Sequence, residues 1–183
     1  MDFSFSSEQT LLQDSVERFI QNDYGFDQRQ KLTGSELGFS KEHWSHFAEL
    51  GWLGLPFAEE DGGFGGSAID TMIVMEAFGK GLVVEPYVST VLMAGSALAH
   101  AGTTSQKEGH LAAIIGGEAQ ASLAYIEPQA RFNLNHVVTR AVPDGSDWVI
   151  NGFKGVVLGA PSADLRIVSA RTDGDEQAEE GIT

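Results

Sequence analysis

Five histidines, a carboxylate run at Glu59-Glu-Asp61 and Glu127 before Pro128 are the side chains here with chemistry to offer. His43 and His46 are three residues apart, a spacing that places two ring nitrogens on one helix face. Trp44 and Phe47 lie among them, so the pair reads as a solvated helix edge rather than as metal ligands. Glu127 is a candidate base. A carboxylate at a strand end is also explained by capping neighbouring N–H groups, and that is the expectation here. The glycine-dense stretch Glu59-Glu-Asp-Gly-Gly-Phe-Gly-Gly-Ser67 invites a phosphate-loop reading. No strand precedes it, no Lys-Ser/Thr follows, and its own carboxylates repel phosphate. It reads as a tight structural loop. No Gly-x-Ser-x-Gly elbow is present, and with no cysteine there is no thiolate nucleophile, thiolate metal site or disulfide. No metal site and no catalytic residue is assigned.

The composition narrows the class of partner. Eleven Lys+Arg against 26 Asp+Glu give a formal charge of −15. That argues against sequence-independent binding to nucleic acid and against an anionic membrane, both of which need a basic face. With 42% hydrophobic residues, 183 residues suffice for a sizeable core. The opening Met-Asp-Phe-Ser-Phe-Ser-Ser-Glu has no basic n-region and no long apolar core, so it is not read as a signal peptide. No run approaches the roughly 18 apolar residues of a membrane span. A soluble, cytoplasmic protein is expected.

The elements that must position any site change character near residue 119. Before it, apolar residues recur at helical spacing. Ser6 and Gln9 form a capping-box pattern, and Leu12, Val16, Phe19 and Ile20 share one face of a helix over about 7–23. Residues 25–38 read as a polar connection. Ser40 caps a second helix with Trp44, Phe47, Ala48 and Leu50 on its apolar stripe. Trp52-Leu-Gly-Leu-Pro56 reads as a buried connector. Ser67 caps a third helix, Pro86 opens a fourth that is apolar nearly all round, and Ser105 with Glu108 caps a fifth. After residue 119 come short runs and turn dipeptides. Ala121–Tyr125, His136–Val142, Trp148–Ile150, Phe153–Leu158 and Leu165–Ala170 read as a meander of about five strands. Pro143-Asp-Gly145 signals a turn, and Asn151-Gly152 is the strongest hairpin signal in the chain. Five open strands leave edges exposed, so this β part is expected to be incomplete. The fold class is therefore α+β: an all-helical domain over 1–118, then an incomplete antiparallel β-barrel domain over 119–183.

In order and spacing these segments resemble the acyl-CoA dehydrogenase family. The resemblance opens with Phe3-Ser-Phe-Ser-Ser-Glu-Gln9. It runs through Leu50-Gly-Trp-Leu-Gly-Leu-Pro56, Glu59-Glu-Asp-Gly-Gly-Phe-Gly65, Val74-Met-Glu-Ala-Phe-Gly-Lys80, Gly102-Thr-Thr-Ser-Gln-Lys107 and Glu127-Pro128 to Trp148-Val-Ile-Asn-Gly-Phe-Lys154 and Ser169-Ala-Arg171. It implies a helical domain, a middle β-barrel and a C-terminal four-helix bundle, the last missing from these residues. It also implies FAD as cofactor and an acyl-CoA as substrate. In the commonest members a glutamate of the C-terminal bundle removes the α-proton while a hydride leaves for flavin N5. Carried over by position, the flavin contacts fall on Leu123, Tyr125 and Ile126, and on Val156, Val157 and Leu158. Ile126 stands where the family has a threonine, so only backbone N–H groups remain at that edge. Val156 and Leu158 replace an aromatic and a hydroxyl residue. Arg131 and Phe132 fall on the positions used near the thioester. These departures are similar to the small subunits of heteromeric acyl-CoA dehydrogenases, the pimeloyl-CoA dehydrogenase type among them. The implied partners are a second such subunit or a second copy, in an α2β2 or homotetrameric assembly, and an acceptor like electron-transfer flavoprotein. For the small-residue helix over 87–100 two readings stand: close helix packing, or one wall of an acyl-chain pocket.

Overall fold

Helix α1 (Ser7–Asp23) begins where the sequence says it must. The Ser6 hydroxyl accepts from the Gln9 N–H, and the Gln9 side chain accepts from the Ser6 N–H, each at 3.1 Å. The computed structural model describes residues 4–183, so Phe3, the first residue of the opening motif, lies outside the described residues. Residues 26–33 form a helix, α2 (Phe26–Thr33), where a polar connection was expected. Its sequence has good helix formers but no fully buried side chain, and Leu32 alone packs against the core, so it offers no apolar stripe to read. It is held by the Arg29 Nε–H donating to the Leu82 carbonyl at 2.8 Å.

Helices α3 (Lys41–Glu49) and α4 (Ala68–Gly81) are capped by Ser40 and Ser67 as anticipated. Helix α5 (88–101) is π-wound over Val88–Gly95 and α-helical over Ser96–Ala101. Helix α6 (104–115) starts two residues earlier than the Ser105–Glu108 reading: Thr103 and Gln106 make the capping box. Both patterns satisfy the same spacing rule, and position on the preceding loop decides between them.

These helices close over a cluster of aromatic rings. Phe19, Phe47, Trp52 and Phe78 are buried, with ring centroids 5.0–5.9 Å apart and mostly edge-on. The buried connector is confirmed at Trp52 and Leu53, and the Tyr87 hydroxyl donates to the Trp52 carbonyl at 3.0 Å. Small residues on α5 are used for close packing. A Cβ on Gly95 would sit 2.6 Å from the Phe57 ring, so that notch is filled from within. At Gly95 the small residue therefore serves close packing.

The β part differs from the expected antiparallel meander. Among the described residues there are two two-stranded sheets and no closed barrel. Strand β1 (Ala121–Ala124) pairs in parallel with β4 (Leu165–Val168), in the register Ala121 to Leu165. Strand β2 (Arg140–Asp144) pairs antiparallel with β3 (Asp147–Asn151). Alternation identifies a strand but not its direction. The long connection between β1 and β4 lets β4 return in the same sense. The hairpin turn is also not at Asn151-Gly152. Asp144 faces Asp147 across a two-residue loop in which Gly145 has φ +64°. Phe153–Leu158 forms no strand. Gly152 is needed for space instead, since a Cβ there would lie 2.3 Å from Thr139 Oγ1.

The two halves are joined at one point of note. Thr90 Oγ1 on α5 donates to the Ala121 carbonyl at 3.1 Å and accepts from the Ala121 N–H at 3.2 Å. This bond fixes the start of β1 against the helical half, and so fixes where β1 ends.

Candidate functional site

Strand β1 runs out at Ala124, and the next residues are left with free donors. The N–H groups of Tyr125 and Ile126 have no acceptor among the described residues. The Ile126 carbonyl accepts from the Gly155 N–H at 2.9 Å. This hydrogen bond brings together two segments that are far apart in sequence, 123–126 and 155–158. Leu123, Tyr125, Ile126 and Val157 are half-buried. Val156 and Leu158 are exposed, Val156 to 76%. Val156 also has φ +52°, a left-handed conformation that a β-branched residue adopts only under constraint. The segment ends at Gly159, whose backbone approaches α5 so closely that a Cβ would meet Ser89 Oγ at 2.5 Å.

Beneath these segments lies a buried ion pair. Glu127 Oε1 is 2.7 Å from Lys154 Nζ, with side chains 2% and 7% exposed. Glu127 also accepts from the Val138 N–H at 2.8 Å and the Thr139 N–H at 3.0 Å. Its expected role in capping neighbouring N–H groups is thus seen directly. Lys154 Nζ donates further to Ser169 Oγ at 3.0 Å, just past β4. Burial pushes the Glu127 carboxyl upward, but the Lys154 ammonium, Thr139 and Val138 together outweigh it and hold the group well below the usual carboxylate range. A lowered folded value means that this group's stabilisation is complete above its ordinary value of 4.5 and drains away as pH falls below it. Acid titration of the β part, followed by amide exchange at Val138 and Thr139, should show protection falling from about pH 4.5 downward. Glu127→Gln should flatten that profile, and an unchanged slope would rule out the assignment.

Arg131 and Phe132 stand on the turn that follows Glu127. The Ala130 N–H donates to the Glu127 carbonyl and the Asn133 N–H to the Ala130 carbonyl, at 3.0 and 2.9 Å. Arg131 has φ +52° and makes no hydrogen bond or ion pair among the described residues. Phe132 is fully exposed. Lys154, Ser169 and the Val138 and Thr139 N–H groups are the parts of this constellation that sequence reasoning did not select. The one available signal was a lysine between strand-forming residues, which is more often a solvated side chain.

Two other candidates resolve into structure. The glycine run 62–66 has no donors to spare for phosphate. The N–H groups of Gly63, Phe64, Gly65 and Gly66 donate to the carbonyls of Ala58, Gly54, Phe57 and Leu55, at 2.7–3.1 Å. His43 is not on a solvated edge: its Nδ1 lies 3.2 Å from Oε1 of the fully buried Glu85, which also accepts from the Tyr24 hydroxyl at 2.8 Å. His46 does fit the solvated reading, exposed beside Glu49. Among the described residues no group of three His, Asp or Glu is placed to hold a metal ion. No helix there is long and apolar enough to cross a membrane.

Comparison with known proteins adds to this geometry. The family model for the acyl-CoA dehydrogenase N-terminal domain matches residues 6–118. The probable acyl-CoA dehydrogenase YngJ of Bacillus subtilis is 32% identical over 175 residues, covering 94% of this chain and 45% of that protein. The chain thus spans about half the length of the curated relatives it matches. The ChsE4-ChsE5 complex from Mycobacterium tuberculosis superposes with a TM-score of 0.84 at 27% identity, over 96% of this chain and 46% of that one. A structure described as the FAD complex of PigA gives 0.85 at 27% identity, over 100% of this chain and 48% of the other.

Proposed function

The chain belongs to the acyl-CoA dehydrogenase family, and we propose that it is a subunit of a flavin-dependent enzyme of the cytoplasm that desaturates an acyl-CoA thioester between its α and β carbons. On this reading residues 1–118 are the helical domain and 119–183 part of the middle β-domain. The observation that carries it is the Ile126–Gly155 hydrogen bond, which joins the two flavin-contact segments into one edge. The residues there fit FAD. Two strand-end N–H groups without acceptors suit the polar edge of a flavin ring, and the exposed apolar surface of Val156 and Leu158 suits its face. When bound, the flavin would supply hydride acceptance. The chain's own part is to orient it: Tyr125 and Ile126 donate from the backbone, Leu123 backs the strand, and Val156 and Leu158 exclude water from the ring. Arg131 and Phe132, on the adjoining turn, are proposed to face the acyl-CoA. No residue of this chain is assigned the α-proton.

Two solved relatives support this reading. One holds FAD and the other is a complex of two named chains, as a hetero-oligomeric α2β2 assembly with a second subunit would require. A homotetramer is the other arrangement, and the proposed electron acceptor is a protein like electron-transfer flavoprotein. A flavin titration of the full chain, alone and in the complex it forms in its host, tests this. Bound FAD should show quenched fluorescence and a visible band that bleaches with acyl-CoA. No bound flavin in either preparation would sink the proposal. A second reading, that this is a non-catalytic structural subunit, is favoured by the hydroxyl-free, non-aromatic side chains of Ile126, Val156 and Leu158. It predicts that the partner alone binds FAD and turns over at the rate of the pair.

A further inference from the structure

Lys154 stands where the ends of three strands converge. It follows β3, its Nζ reaches Glu127 after β1, and it reaches Ser169 after β4, at 2.7 and 3.0 Å. The Glu127 carboxylate is also tied to the Thr139 N–H at Oε1 and the Val138 N–H at Oε2, ahead of β2. So one ammonium and one carboxylate join four stretches of chain from two sheets, a second tie beside the Arg140–Arg171 bridge. Neither side chain is exposed enough to be doing this for solubility. A buried ion pair is a poor source of net stability, because desolvation offsets the attraction, but it fixes geometry tightly.

The position of the pair gives that geometry a use. Glu127 is next to Ile126, and Lys154 is next to Gly155. The ion pair and the Ile126–Gly155 hydrogen bond are therefore adjacent rungs between the same two segments. One residue further on, Val156 is held in a left-handed conformation it would leave if released. The far end of its segment is fixed by the close approach of Gly159 to Ser89. The constraint at the near end is the Lys154 rung.

We propose that Lys154 is a positioning residue for the cofactor edge: acting through Glu127 and Ser169, it sets the spacing between the Tyr125–Ile126 donors and the Val156–Leu158 surface. This rests on the reading of that edge as a flavin site. Removing the lysine alone leaves a buried carboxylate unpaired, so Lys154→Met is expected to unfold the β part. The double variant Glu127→Gln/Lys154→Met removes both charges and avoids that outcome. FAD affinity is measured by fluorescence titration of the full chain in its complex. Amide exchange at Val142 and Val149, the hydrogen-bonded pair beside Ala141 and Ile150, reports whether the hairpin is intact, and exchange at Gly155 reports the rung. The double variant should keep hairpin protection, lose protection at Gly155, and bind FAD at least about tenfold more weakly, as expected when a contact edge shifts by a fraction of an ångström. Lys154→Arg, which keeps the charge, should bind more tightly than the double variant. A double variant that binds FAD as well as the parent overturns the assignment alone. A parent that binds no FAD overturns the flavin reading, and this assignment with it.

Discussion

Replacing Arg171 with leucine is expected to release the segment 173–180 and to destabilise the β part by about 4 kcal/mol, from the loss of six hydrogen bonds to a charged donor, one to a buried and five to part-buried carbonyls, which water replaces only in part. Arg171 is 1% exposed. Its guanidinium donates to the backbone carbonyls of Asn135, Val137, Asp173, Glu176, Ala178 and Glu180, at 2.7–3.4 Å. A planar fork of five donors can serve carbonyls from two loops at once, which a lysine ammonium cannot. The segment it gathers carries Asp173, Asp175, Glu176, Glu179 and Glu180 and no basic residue. Without the arginine the loop loses its hub, and a cation is removed from among its carboxylates. Its backbone also bridges Arg140 and Ile182, so the edge of β2 loosens with it. Arg171→Lys should recover only part of the loss. Limited proteolysis within 173–180, with denaturant midpoints for both variants, measures this. Unchanged cleavage and midpoint in Arg171→Leu would show that the loop is held by something else.

The helical half was largely legible from local patterns because local rules decide it. Ser6, Ser40 and Ser67 cap helices whose apolar faces recur at the right interval, and the aromatic connector at Trp52 is buried as its composition demands. Helix α2 escapes because it has no fully buried side chain and only Leu32 packs against the core, leaving no periodicity to detect. His43 was misjudged because its partner, Glu85, is distant in sequence. The β half was less legible for the same reason. Both Gly145 and Gly152 follow turn-forming residues, but only the register of β2 with β3 tells which one turns. The parallel pairing of β1 with β4 is a tertiary fact with no signature in either strand. At the candidate site the resemblance supplied the two segments by position. That Ile126 and Gly155 meet, and that Glu127 and Lys154 lock them from below, depends on where the chain returns after β3.

Gly63→Ala is expected to destabilise the helical half by about 3 kcal/mol or more, at the upper end of overpacking, because nothing near the new methyl can yield. Its Cβ would lie 2.3 Å from the Phe57 carbonyl oxygen, 2.6 Å from the Phe57 carbonyl carbon and 2.7 Å from the Gly54 oxygen, all backbone atoms. The same stretch of backbone accepts the N–H groups of Phe64, Gly65 and Gly66, so moving it breaks the loop's own hydrogen bonds. The strain then travels. The Phe57 ring fills the notch at Gly95 of α5, and α5 holds β1 through Thr90 and Ala121. Neighbouring glycines provide the controls. Gly62 has open space around it but φ +85°, so Gly62→Ala should cost only the left-handed penalty of about 1–2 kcal/mol. Gly109 is helical with nothing within 4 Å, so Gly109→Ala should stabilise by about 0.5–1 kcal/mol. Denaturation followed by tryptophan fluorescence gives the three values, and the order is what matters. Gly63 costing less than Gly62 would mean that the loop bends freely away from Phe57, and that the glycines serve chain reversal rather than the close approach that links this loop to the candidate site.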